Sequence, residues 1–227
     1  MEHHWAMKTI ALHMPVFDRL KITRACYVGL QRNIKEFAAL GYKLEVYVAG
    51  HEPEHRTMAA KFGWNWLEAS NGNLGEKNQK LFVHMKQFDW DYLLQLGSDD
   101  FLLPGGAEAI VSYMEKGDEF ACFTELYFFK ISDGSGTLLK GYPCGAGRFM
   151  SRRICDGVKT MWVFASIGND GRSADRIYRK WKIEPKKMKG AFIADIKSDV
   201  NVTPFFRHTD DEYWMKDHVP EFELLLP

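Results

Sequence analysis

The stretch that most constrains this chain is Tyr92-Leu93-Leu94-Gln95-Leu96, which runs without a break into Gly97-Ser98-Asp99-Asp100. So apolar a run, closed by glycine, reads as a buried strand. What precedes it alternates strand with helix. Lys8 to Met14 reads as a buried strand stopped by Pro15. From about Arg19 to Leu40, Ile22, Cys26, Leu30, Ile34 and Phe37 recur at helical spacing, and Gly41 closes the helix. Lys43 to Val48 is a second strand, ending at Gly50. Pro53 opens a short helix carrying Met58, Ala59 and Phe62, and Trp64 to Glu68 makes a third strand. After the loop Ser70-Asn71-Gly72-Asn73, the residues Leu74, Leu81, Met85 and Phe88 mark an amphipathic helix. Beyond the acidic pair, Pro104 starts a helix with Ile110, Val111 and Met114 on one face. This alternation predicts a parallel α/β sheet with helices on both faces.

The second half changes character. Phe120 to Ile131 reads as one long aromatic strand, Asp133 to Gly136 as a turn, and Thr137 to Lys140 as a returning strand. Gly145 to Arg153 reads as extended, Ser173 to Trp181 as a short helix and Ala191 to Lys197 as a strand. Residues 199–227 are polar, aromatic and irregular. The expectation is one domain over 1–227, with a nucleotide-type half over about 8–117 and a substrate-facing half over about 118–227.

Composition excludes several classes. Thirty basic and thirty acidic residues cancel, so no overall field draws the chain toward nucleic acid. No apolar run approaches the roughly 18 residues that span a bilayer, and the first residues lack the pattern of a signal peptide. Cys26, Cys122, Cys144 and Cys155 show no C-x-x-C spacing and read as buried thiols. A cytoplasmic location follows by elimination.

In parallel sheets, ligands sit outside the carboxyl ends of the strands. Asp99 and Asp100 stand at such an end. Two readings are open: a polar turn in which one aspartate caps the next helix, or a site for a hard divalent cation that relieves the repulsion between the two carboxylates and binds substrate phosphates. Elsewhere, Arg148, Arg152 and Arg153 form either an anion clamp or a solvated strand edge. Trp162 packs in the core or stacks on a sugar ring. Lys180 to Lys189 is a charged loop or a contact for an anionic surface.

The stretch Tyr92 to Pro104, a hydrophobic strand, an acidic pair, apolar residues and a helix-opening proline, resembles the metal-binding segment of family 2-like, GT-A glycosyltransferases. Three further segments are similar to that family in the same order: Ile10 to Arg19, Asn73 to Asn78, and Gly168-Asn169-Asp170-Gly171 before a helix. The resemblance implies a GT-A fold, a mostly parallel nucleotide-binding sheet with a smaller mixed acceptor-side sheet. It implies a nucleotide-sugar donor, a saccharide or other hydroxyl acceptor, and Mn2+ or Mg2+. By the same resemblance, Asp100 and Asp99 hold the metal, Asp99 also contacting the ribose. A late histidine, His208, completes the metal site or else is a surface histidine, with Asp210 and Asp211 competing for that place. Pro15, Phe17, Arg19, Lys77 and Asn78 line the donor pocket. Asp170 is the general base of an inverting transfer, or else a helix-start residue.

Two departures stand out. Gly97 occupies a position where many relatives carry another acid, and the second strand is followed by Gly50-His51-Glu52 where many carry aspartate. They leave open a binding protein without turnover. A sugar-phosphate nucleotidyltransferase is a further alternative, but Met14-Pro15-Val16-Phe17 lacks the glycine-rich loop that cradles a triphosphate.

Overall fold

The first strand, β1 (Lys8–Pro15), lies inside the sheet, paired in parallel with β2 (Tyr42–Gly50) on one side and β4 (Tyr92–Gln95) on the other. The computed structural model describes residues 7–141, 143–162, 169–198 and 211–226, and for 169 and 170 the backbone only. Between β1 and β2 runs α1 (Leu20–Ala39), whose buried face is Ile22, Cys26, Leu30 and Phe37 at the predicted spacing. Gly41, at φ 80°, takes the left-handed turn that ends it. α2 (Pro53–Lys61) leads to β3 (Asn65–Glu68), which pairs in parallel with β2. α3 (Leu74–Met85) then leads to β4, and the Asn73 side chain accepts from the Glu76 N–H at 3.0 Å, a cap that stabilises such a helix by about 1 kcal/mol.

Beyond β4 come a three-residue strand, β5 (Asp100–Leu102), and α4 (Gly106–Glu115). The sequence pattern places this helix start at Pro104. The helix begins two residues later because Asp100–Leu102 is held as a strand, pairing antiparallel with a later segment. The long aromatic run Phe120 to Ile131 is two strands, β6 (Phe120–Phe123) and β7 (Glu125–Lys130), in different sheets. Both demand the same residue types, so the change of sheet at Thr124 leaves no mark in hydrophobicity. β8 (Ser135–Lys140) returns antiparallel beside β7. The predicted extended stretch Gly145 to Arg153 contains only β9 (Arg148–Ser151). A one-turn helix, α5 (Arg152–Asp156), follows, capped by Ser151. α6 (Asn169–Trp181), β10 (Lys186–Met188), β11 (Ile193–Lys197) and β12 (Tyr213–Trp214) complete the elements described, with two short 3-10 turns near the end. The basic run thus contains an edge strand that its charges disguise.

The large sheet has the order β10-β6-β9-β4-β1-β2-β3, and the small one β12-β8-β7-β11-β5. β1 alternates between two cores. Ile10, Leu12 and Met14 join a cluster with α1, α4 and the small sheet, while Ala11 joins Leu81, Phe82, Ile154, Trp162 and Ile177 on the other face. The fold is thus mixed α/β, with a mostly parallel central sheet covered on both faces and a smaller mixed sheet beside it.

Candidate active site

The carboxyl end of β4 is where the chemistry collects. After Gln95 the chain turns through Gly97, and Asp100 opens β5, its Oδ2 accepting the Gly97 N–H at 2.5 Å. A Cβ at residue 97 would stand 2.8 Å from Asp100 Oδ2 and 3.0 Å from Asp99 Oδ1. Glycine is required here because the two carboxylates fill the space of a side chain. The third acid comes from β11: Asp195 is paired with Asp100 in the antiparallel register. One carboxylate oxygen from each of Asp99, Asp100 and Asp195 lies within 4.8 Å of the others.

At that spacing each pair of charges repels by about 3 kcal/mol near a protein surface. Burial, then the charges of Asp195 and Asp99, push the Asp100 pKa well above the usual carboxylate range. Asp195 is raised by burial and by Asp99, against the pull of Lys197. Two cations offset part of this. Arg19 Nη1 donates to Asp99 Oδ2 at 2.5 Å and Nη2 to Ser98 Oγ at 3.0 Å. Lys197 Nζ meets Asp195 Oδ2 at 2.5 Å and stands over the Phe128 ring at 4.8 Å. Burial opposes the charge on Lys197, but Asp195, Asp99 and Asp100 outweigh it and hold its pKa above the ordinary value.

Among the described residues, three carboxylates against two cations leave one excess negative charge, and Asp195 Oδ1, buried, has no hydrogen-bond partner. A cluster of hard oxygens with one unpaired and buried fits a divalent cation of the Mg2+ or Mn2+ kind, which takes carboxylates together with substrate phosphates. Asp99, Asp100 and Asp195 are the residues that would hold it.

The turn between β1 and α1 is strained toward this site. Asp18 and Arg19 both sit in the left-handed region, at φ 44° and 53°, which costs a non-glycine residue on the order of 1 kcal/mol or more each. The turn is held from three sides. Asp18 N–H donates to Glu52 Oε1 at 3.1 Å, His55 Nε2 to the Asp18 carbonyl at 3.0 Å, and Arg19 reaches Asp99. Lys77, in the first turn of α3, donates to the Val16 carbonyl at 2.6 Å and to Asn71 Oδ1, with its ammonium 5.6 Å from the Phe17 ring centroid. Burial, with Arg19 nearby, lowers its pKa to about 8 despite Glu52. Glu52 itself is lifted by burial but held below its ordinary value by the donors around it.

The structure therefore brings Arg19, Asp99 and Asp100 together, with Phe17 and Lys77 beside the strained turn and Pro15 closing β1. Asn78 is buried, and its carbonyl accepts from His13 Nε2 at 3.0 Å. The backbone of Asp170 opens α6. Its side chain, His208 and Asp210 lie outside the described residues. Arg152 and Arg153 pair with Asp156 and Glu119. Arg148 is buried and donates to Ser173 Oγ at 3.0 Å, fastening α6 to the sheet. Trp162 is buried and stacks on His13, ring centroids 4.5 Å apart. Asp195 and Lys197 were missed by sequence reasoning. Their signal was there: in Ile193-Ala194-Asp195-Ile196-Lys197 two opposite charges alternate with apolar residues, so both point to one face of an otherwise buried strand.

The sequence matches no protein-family model and no curated protein. Solved structures do match in fold. The 1–349 fragment of S. aureus TarS aligns with a TM-score of 0.57 at 10% identity, over 84% of this chain and 60% of that one. Glucosyl-3-phosphoglycerate synthase from Mycobacterium tuberculosis, in complex with Mn2+ and uridine-diphosphate-glucose, aligns at 0.55 and 13% identity, over 85% of this chain and 73% of that one. A CMP:2-keto-3-deoxy-manno-octonic acid synthetase complexed with CTP aligns at 0.51 and 12% identity, over 87% of this chain and 93% of that one. The chain thus spans about three fifths of the TarS fragment. Architecture and matches together define a GT-A, glycosyltransferase-like fold.

Proposed function

We propose that this protein is a metal-dependent glycosyltransferase that moves a sugar from a nucleotide-sugar donor to a hydroxyl acceptor. The observation that carries the reading is the set of Asp99, Asp100 and Asp195 at the carboxyl end of β4, with the buried Asp195 Oδ1 unpaired among the described residues. When bound, Mn2+ or Mg2+ supplies charge neutralisation for the diphosphate that departs. Arg19 and Lys197 fix the carboxylates. Lys77, Phe17 and Pro15 edge the donor pocket, Asn78 holds β1 to α3, and Glu52 ties the two loops of the nucleotide side together. Residues 8–117 form the donor half and 118–227 the acceptor half of one domain. Asp170, at the start of α6, takes the proton from the acceptor hydroxyl as its oxygen bonds to the anomeric carbon. The bond to the diphosphate breaks, and its electron pair leaves on the diphosphate oxygen, so the transfer inverts configuration. All four cysteines are buried thiols outside any disulfide, in keeping with the reducing cytoplasm. The Mn2+ and uridine-diphosphate-glucose in the mycobacterial enzyme's structure favour the same chemistry.

The match to the CTP-bound synthetase, nearly over its whole length, favours a second reading, nucleotidyl transfer to a sugar acid. Against it stands the β1–α1 turn, Pro15 to Arg19, which has no glycines to cradle a triphosphate. One experiment separates these readings: thermal stability with nucleoside diphosphates, nucleotide-sugars and nucleoside triphosphates, with and without Mn2+, for the wild type and Asp100→Ala. A ligand at about 100 times its Kd adds roughly 2.7 kcal/mol, or roughly 5–10 °C at this size. A metal-dependent shift with a nucleotide-sugar, lost in Asp100→Ala, supports the transferase. A shift with triphosphate alone supports nucleotidyl transfer, and none with any ligand refutes both.

A further inference from the structure

The strongest unassigned feature lies toward the opposite end of the sheet from the acidic triad. β9 runs antiparallel to β4, with Arg148 opposite Gln95 and Ser151 opposite Tyr92, so α5 and the chain after it emerge at the amino end of β4. α6 travels the same way. Its Ser173 meets Arg148 near the site, while its Trp181 Nε1 donates to the Ile154 carbonyl at 3.3 Å at the far end. Between the α5–α6 connection and the outer half of α6 is an open surface cleft of about 380 Å³. It is lined by Gly157, Val158, Lys159, Thr160, Arg176, Arg179 and Lys180.

Four of those seven residues are cations and none is an acid. The chain as a whole is neutral, so the concentration is local. The carboxylates nearest in sequence do not cancel it. Asp156 is engaged by Arg152 at 2.9 Å, and Asp175, one turn before Arg179, forms no ion pair among the described residues. Nor do Lys159, Arg176, Arg179 or Lys180. The negative end of the α6 dipole accounts for Arg179 and Lys180, which lie in the last helical turn. It does not account for Lys159, which faces them from another segment, or for Arg176. Arg176 is oriented: Nη1 donates to the Thr160 carbonyl at 2.8 Å, which leaves the rest of its planar fork for another acceptor. Like charges gathered in one concavity repel, and the arrangement is favourable when an anion shares it.

The geometry points to a second binding site, in this cleft, for a phosphate-bearing anion. The cleft is open to solvent and wide enough for a phosphate with a small organic body. Two arginines and two lysines suit a phosphate, the arginines by paired N–H donors and the lysines as point charges. The site is independent of the donor pocket and does not rest on the transferase reading.

The test is titration of the wild type with inorganic phosphate by calorimetry, and sedimentation with phosphatidylcholine vesicles with and without phosphatidic acid. Each is repeated with Arg176→Ala/Arg179→Ala, with Lys159→Ala/Lys180→Ala, and with Asp100→Asn. The second pair changes only exposed side chains, so it reads the site even if loss of the Arg176 bond to Thr160 disturbs the fold. Binding of free phosphate that weakens about tenfold or more in both double variants and persists in Asp100→Asn supports a soluble ligand. Binding of phosphatidic acid vesicles alone, with the same losses, supports a lipid headgroup as its source. Binding of neither, or binding undiminished in Lys159→Ala/Lys180→Ala, overturns the site.

Discussion

Gly97 is the residue on which the two accounts of this site part. If glycine stands where a metal ligand has been lost, restoring an acid should strengthen the site. If it stands there because Asp99 and Asp100 occupy the space of its side chain, any Cβ should weaken it. A Cβ would lie 2.8 Å from Asp100 Oδ2 and 3.0 Å from Asp99 Oδ1, whereas ordinary contact begins at 3.4 Å. The carboxylates must therefore retreat by about 0.6 and 0.4 Å, the differences from 3.4 Å. Asp100 Oδ2 also gives up part of its 2.5 Å bond to the Gly97 N–H in doing so. Metal–oxygen distances tolerate roughly 0.2 Å, so Gly97→Ala should weaken Mn2+ binding by about 10–100-fold, or about 1.4–2.7 kcal/mol. The mutation should also cost about 1–3 kcal/mol of folding stability through overpacking. Gly97→Asp adds the same clash, which displaces the two carboxylates already in place, so its extra charge should not raise Mn2+ binding above that of the wild type. Calorimetric titration with Mn2+, or the paramagnetic resonance signal of the free ion, measures both. Gly97→Asp binding more tightly than wild type, or Gly97→Ala binding unchanged, refutes the steric reasoning.

The remaining expectations concern other groups. Asp195→Asn keeps the shape of the triad but removes a carboxylate, so Mn2+ affinity should fall about tenfold or more by titration, while Lys197 loses its partner. Lys77 has a folded pKa of about 8, below its ordinary value near 10.5. Below pH 8 both states hold the proton and the full cost of burying the ammonium is present. Between about pH 8 and 10.5 the unfolded chain binds more protons, so stability rises with pH, by roughly 3 kcal/mol over the window. Denaturant midpoints for wild type against Lys77→Met should show that rise only in the wild type. Asp170→Asn should lower kcat by about 10²–10⁴-fold and leave donor affinity unchanged; retained turnover would remove it from the role of base.

Much of the frame was legible because it is locally encoded. The helical repeat Ile22, Cys26, Leu30, Phe37 and the buried run of β4 specify their elements without reference to the rest of the chain. The failures all depend on distant pairing. Nothing in Phe120 to Lys130 says that the chain changes sheets, because both sheets want aromatic and branched residues there. Asp100–Leu102 is too short to announce itself and becomes a strand only because β11 lies beside it. Asp195 belongs to the same class of miss, but with a difference. Its placement opposite Asp100 is a tertiary fact, yet the oddity of an aspartate and a lysine at alternate positions inside an apolar strand is local. Burying either charge alone is costly, so such a pattern requires partners from elsewhere in the fold. Asp99 and Asp100 have the matching need, two adjacent carboxylates at a strand end whose counter-charges must come from elsewhere, Arg19 among them. An acidic pair that needs cations and a strand that carries a buried lysine are complementary demands, since Lys197 feels Asp99 and Asp100 as well as Asp195. Setting those demands side by side joins β5 to β11 and makes Gly97 a spatial necessity rather than a missing ligand.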